Sequence, residues 1–287
     1  MEAGLFALLA AACFGAAMVV VKFGLEHMDS TAGAMVSIPT ATLLFWALAP
    51  LKVNWSDFAS PAIAVFAAVG LFFPALVTLL IFEANQRMGP TVSAAVSATA
   101  PFFAVAGAIL FLDERLTGPI VAGIIAIVGG VVALTWAGNQ QRRQWPKTAL
   151  LFPLAAAVVR GSAQAGAKFG LAILPVPFTA GLVGYTVSTL TVALALAFRY
   201  GVRGLQMRRR GIKWFMLAGV FNGTAVLSLY VALNSGRVVL VSPIAATFPL
   251  FALVFSLLLL RRERLGRRVG MGVILVVAGA ALLVAAR

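Results

Sequence analysis

Between short clusters of charge, this chain runs in continuously apolar stretches of about 20 residues, the length an α-helix needs to cross a hydrocarbon layer. Ten such stretches are predicted: Ala3 to Val21, Thr31 to Leu51, Ala62 to Phe82, Thr91 to Leu112, Gly118 to Ala137, Ala149 to Phe169, Pro177 to Phe198, Trp214 to Leu233, Val238 to Leu260 and Val269 to Ala286. A membrane barrel needs alternating segments of about ten residues, whereas these runs are apolar on every side and rich in Ala, Leu, Val and Gly. The expected fold class is therefore all-α and integral to the membrane, with ten transmembrane helices. A water-soluble domain is excluded. Hydrophobic residues make up 62% of the chain and charged residues 10%, with a mean hydropathy of +1.04, so too little polar surface exists to face water.

The chain repeats itself. A shift of 146 positions lays Leu5, Phe6, Leu8, Ala10, Ala11, Gly15, Ala17 and Lys22-Phe23-Gly24-Leu25 onto Leu151, Phe152, Leu154, Ala156, Ala157, Gly161, Ala163 and Lys168-Phe169-Gly170-Leu171. Pro101 and Phe103 then match Pro249 and Phe251 at a shift of 148. Glu114-Arg115-Leu116 matches Glu263-Arg264-Leu265, and Gly123 and Gly130 match Gly272 and Gly279, at a shift of 149. The expected organisation is a first five-helix repeat at 1–138, a basic connecting loop at 139–148 and a second five-helix repeat at 149–287. Five is odd, so the second copy enters the membrane from the opposite side and the repeats are inverted, as in many secondary transporters. The partnership of the first segment with the sixth also argues against reading it as a signal peptide, as does the lack of a preceding basic residue.

Basic residues set orientation. Connections after the first, third, fifth, seventh and ninth segments carry sixteen Lys and Arg, and the opposite side carries Lys52, Arg115, Lys168, Arg237 and Arg287. The basic connections are expected in the cytoplasm of a bacterial inner membrane, with both ends of the chain outward. The net charge of +14 does not indicate nucleic acid, because the basic residues sit at the ends of apolar segments, where anionic lipid head groups are their partners. One cysteine, Cys13, excludes an internal disulfide. The single histidine, His27, excludes a multi-histidine metal site, and no phosphate-binding Gly-rich loop is present, so no cofactor and no enzyme chemistry is expected.

Arg160 stands out. It falls mid-segment, where a charge costs roughly 3 kcal/mol on insertion scales, and Gln164 and Lys168 follow at four-residue spacing on the same helical face. One reading is a cavity wall that binds a carboxylate or phosphate with the flat guanidinium fork. The other pairs Arg160 with carbonyls or a distant acid and lets Lys168 snorkel to the interface. Trp46, Tyr185, Tyr230 and Asn222 are further substrate-binding candidates, although Ser, Thr and similar polar groups in membrane helices often serve packing alone. Glu83, with Arg87 nearby, is the proton-coupling candidate or an interfacial acid paired with Arg87 or Lys22. Pro74, Pro101 and Pro249 are hinge candidates, or static bends. No other acid falls inside a span.

With its two five-helix halves, Pro101 and Pro249, and an acid followed by a glycine-spaced helix at Glu114 to Gly130 and Glu263 to Gly279, the chain resembles the EamA-type transporters of the drug/metabolite transporter superfamily over its full length. The resemblance implies a ten-helix inverted repeat, a central cavity, and export or exchange of amino acids, other metabolites or drugs. Small cation exporters of the same superfamily rely on an acid in their first helix, where this chain has Cys13 and Phe14. The expected function is therefore alternating-access transport of a small anionic or zwitterionic solute, with amino-acid export as the example, by a monomer or homodimer. An intramembrane enzyme on a lipid-linked phosphate and a cationic multidrug exporter are the alternatives. Family members are often drawn with cytoplasmic termini, opposite to the charge count here. A tag fused after Arg287 is expected to be reached by an impermeant protease in intact cells, and protection of the tag reverses the orientation.

Overall fold

The structure, a computed structural model, describes residues 2–137, 146–200, 209–260 and 267–285. Most of the expected connecting loop at 139–148, together with Arg142, Arg143, Arg203, Arg208, Arg261, Arg262, Glu263, Arg264 and Arg287, lies outside the described residues. Twelve α-helices follow in order: α1 (Glu2–Leu25), α2 (Ser30–Lys52), α3 (Ala62–Phe72), α4 (Ala75–Ser97), α5 (Ala100–Leu112), α6 (Gly118–Ala137), α7 (Leu151–Ile173), α8 (Pro177–Tyr200), α9 (Arg209–Ser235), α10 (Val238–Ala245), α11 (Phe248–Leu260) and α12 (Arg267–Ala285). Short 3-10 turns occupy Trp55–Ala59 and Lys147–Leu150, and no strand occurs among the described residues. Seven stretches are long and apolar enough to cross a membrane, and Ala100–Leu112, Gly118–Ala133 and Met271–Leu283 are shorter apolar helices. Each of the ten predicted segments overlaps one of these.

Residue size sorts the two faces of the first half of α1. On α1 the small residues Ala3, Ala7, Ala10, Ala11, Gly15 and Ala17 are buried, while Leu5 and Leu9 point outward. Leu51, Leu110 and Phe111 are each more than 70% exposed. Small-inside and large-outside is the pattern of helices packed in lipid, where burying a leucine gains nothing over leaving it among acyl chains.

The main contacts run between the halves and come in matched pairs. Helix α1 packs on α9 and α11, and its counterpart α7 packs on α3, α4 and α5. A methyl group placed on Gly15 would lie 2.8 Å from the Phe248 carbonyl oxygen and 2.7 Å from the Ala252 nitrogen. On Gly161 it would lie 2.6 Å from the Ala100 oxygen and 2.7 Å from the Ala104 nitrogen, which are the same positions one repeat earlier. Gly123 abuts Gly279 while Gly130 abuts Gly272, so α6 and α12 cross antiparallel through their matched glycines. Between α2 and α8, Thr42 and Thr189 share a 2.7 Å hydroxyl hydrogen bond.

Helix breaks also recur. At Ala98–Thr99 and at Ala246–Thr247 the chain leaves one helix and starts the next, and the Thr99 and Thr247 hydroxyls donate to the Val96 and Ile244 carbonyls at 2.7 and 2.8 Å. Pro101 lies in the first turn of α5 and Pro249 in that of α11, where a missing N–H leaves no helical bond unmade. Pro74 stands just before α4, with its carbonyl accepting from Thr78. The second break lies close to a cap from the other half: the Glu114 carboxylate accepts the N–H groups of Val238 and Val239 at 2.8 and 3.0 Å, neutralising the start of α10.

One predicted boundary is overturned. The third and fourth segments were expected to be joined by a connection at 83–90, but α4 is helical from Ala75 to Ser97. The polar cluster there is a helix face and not a turn: Glu83 pairs with Arg87 one turn on at 2.7 Å, and Asn85 is buried. Because Ala100 backbone blocks any side chain at Gly161, Gly161→Val is expected to lower stability by about 1–3 kcal/mol or more. Gly129→Ala meets nothing within 4 Å and is expected to melt at or above the parent temperature in detergent.

Candidate functional site

Helix α7 contacts α3, α4, α5 and α9, and its face toward them mixes alanines and glycines with Arg160 and Gln164. The backbone contact at Gly161 seats the middle of α7 against the first turn of α5. Its neighbour Arg160 is thereby held beside both helix breaks. The guanidinium carbon lies 5.4 Å from the ring centres of Phe14 on α1 and of Phe248, the first residue of α11. Among the described residues Arg160 has no carboxylate within ion-pair distance and no hydrogen-bond partner.

Three adjoining small cavities, of about 50, 10 and 60 Å³, each have Arg160 and Phe14 in their walls. The first is completed by Asn85, Ser93, Ser97 and Asn222, the second by Ser97, Gln164 and Ser242, and the third by Thr78, Tyr185 and Asn222. Among the described residues no Asp or Glu lines any of them. Buried polar atoms in folded proteins are nearly always bonded, so exceptions locate function. Among the described residues the exceptions are Asn85 Oδ1, Ser93 Oγ, Ser97 Oγ, Gln164 Oε1, Tyr185 OH and Ser242 Oγ. All six residues line these cavities. Unbonded hydroxyl groups and amide oxygens thus share these cavities with one arginine.

The structure thus brings together Arg160, Gln164, Tyr185 and Asn222. It does not bring the other candidates to them. Lys168 donates to the Leu233 carbonyl at 2.7 Å near the ends of α7 and α9. Trp46 is 44% exposed and bonds Thr186 at 3.0 Å, and Tyr230 is buried without lining any of the three cavities. Glu83 accepts from Ser30 at 2.9 Å and pairs with Arg87, whose guanidinium also lies 4.7 Å over the Phe152 ring. Pro101 lines the second cavity and Pro74 the third, while Pro249 lines none. Sequence reasoning undervalued Asn85, Ser93, Ser97 and Ser242, since a lone small polar residue in an apolar helix is usually a packing group. It also passed over Phe14 and Phe248. The repeat held a signal for the first of these, because the shift that matches Gly15 with Gly161 places Phe14 opposite Arg160.

The cavities sit between two copies of one sequence pattern, and that pattern has relatives. A solved crystal structure shares the fold with a TM-score of 0.76, covering 98% of this chain and 95% of that one at 15% identity. No curated protein matches this chain. The sequence profile of the EamA-like transporter family matches it twice, over residues 1–136 and 147–285. An all-helical chain of apolar segments, matched nearly end to end by two copies of that profile, belongs to the EamA-like transporter family of the drug/metabolite transporter superfamily.

Proposed function

We propose that this protein is a secondary transporter that exports a small organic anion or zwitterion, such as an amino acid, by alternating access, with Arg160 as the group that receives the carboxylate. The observation that carries this reading is the convergence of six unbonded buried polar groups on cavities walled by one unpaired arginine. A cationic substrate does not suit those walls, since among the described residues no carboxylate lines them. Gln164, Tyr185 and Asn222, with Ser97 and Ser242, supply the remaining hydrogen bonds.

The alternating mechanism is supported by the matched contacts. Helices α6 and α12 are repeat counterparts that cross antiparallel, which is the relation an inverted duplication produces. Ten crossings follow if the three shorter apolar helices span together with the seven long ones. The cavities are far below the roughly 300–1,000 Å³ of ordinary ligand sites, and in this reading helices part toward one face to admit a metabolite to Arg160. The breaks beside Pro74, Pro101 and Pro249 are the flexible points for that movement. Charge distribution supports basic connections in the cytoplasm, an inner-membrane location and outward termini.

Arg160→Ala is expected to insert and elute as the parent does, while uptake of labelled amino acids and organic acids into reconstituted vesicles falls by roughly a hundredfold. Full uptake by that variant overturns the assignment. Within the same solute panel, the parent's melting temperature is expected to rise with the transported compounds and to stay fixed with organic cations.

A further inference from the structure

The two rings on Arg160 do something the substrate reading does not require. Protein groups alone meet this charge through aromatic faces, with Phe14 contributed by the first half and Phe248 by the second. Both rings belong to one small cluster with Ala11, Met18 and Phe251, in which Phe248 is buried and Phe14 partly buried. A guanidinium over an aromatic face is stabilised by the ring quadrupole, and the effect grows as water is removed. A bare arginine at this depth is otherwise the strongest obstacle to closing the helices.

We propose that Phe14 and Phe248 act as the surrogate counter-ion of Arg160 that lets the carrier close when no anion is bound. In the loaded carrier the substrate anion neutralises the arginine; in the return step the rings do. The rings lie on α1 and α11, whose backbones meet at Gly15, while Arg160 lies on α7, seated on α5 at Gly161. Movement of the α1–α11 pair away from α7 therefore takes the rings off the guanidinium and exposes Arg160 to water. A transporter built this way completes its cycle without a second substrate, whereas loss of the rings restricts it to exchange. This rests on the alternating-access reading, yet it is testable without any substrate.

The test uses full-length protein in which the single cysteine is removed by Cys13→Ser and Ser97→Cys is the reporter, since Ser97 is buried and lines two of the three cavities. The probe is N-ethylmaleimide, a small neutral thiol reagent, added to purified protein with labelling followed by mass spectrometry. Phe14→Leu or Phe248→Leu is expected to speed labelling about tenfold, and Phe14→Tyr, which keeps the ring face, to leave it slow. With Arg160→Leu in place, the same ring substitutions are expected to change nothing. Equal acceleration in the Arg160→Leu background means the rings merely fill space, and overturns the proposal. So does the absence of acceleration when Arg160 is present. Either ring variant alone decides the matter, so one that fails to elute as monodisperse protein is replaced by the other. Failure of transport in Arg160→Ala bears on the substrate reading and leaves this result untouched.

Discussion

The fold depends on backbone meeting backbone at glycine. In water a helix gains by hiding leucine, but in lipid that gain vanishes, and association rests on close van der Waals approach of small faces. Gly15 against the first turn of α11 and Gly161 against the first turn of α5 bring the two halves to that distance. Because α1 packs chiefly on α9 and α11, and α7 on α3, α4 and α5, the core of the molecule is the interface between its halves. Each half supplies surfaces whose partners lie in the other.

The same approach creates the site. Seating Gly161 on α5 sets Arg160 next to two helix breaks and under the Phe14 ring. A symmetric frame thus holds an asymmetric centre, since the repeat counterpart of the arginine is the phenylalanine that faces it. The charge then organises the rest of the cavity, where hydroxyl and amide groups with no protein partner face the space around it. Transport and closure draw on one guanidinium: its hydrogen-bonding edge suits a carboxylate and its flat faces suit aromatic rings.

Some of this was legible early because it depends on local chemistry. Arg160 was conspicuous because a charge amid alanine and valine is costly wherever the helix packs, and Pro74, Pro101 and Pro249 were conspicuous because a ring at nitrogen limits where a helix can start. The residues around 83–90 misled for the opposite reason. Polarity there resembles a connection, yet the backbone is helical throughout: Glu83 and Arg87 pair one turn apart on one face, and Asn85 is buried on another, where it lines a cavity with Arg160. Trp46 and Tyr230 have the right composition for a cavity wall, but Trp46 is exposed and Tyr230 is buried beside Gly184 and Tyr185 without lining the cavities itself.

Sequence by itself determined that the chain is a bundle of apolar helices, that it is a duplication, and that one deep cation has no deep acid beside it. Those follow from residue-by-residue transfer energies and from pattern matching along one dimension. Tertiary structure alone decided that Ser97, Ser242, Asn85 and Gln164 line cavities with Arg160 while Lys168 does not, and that the rings of Phe14 and Phe248 lie against its guanidinium. Such groupings are set by the angle at which helices cross and by the turn at which one breaks, and both arise from contacts between residues far apart in the chain, such as Gly161 with Ala100 and Thr42 with Thr189.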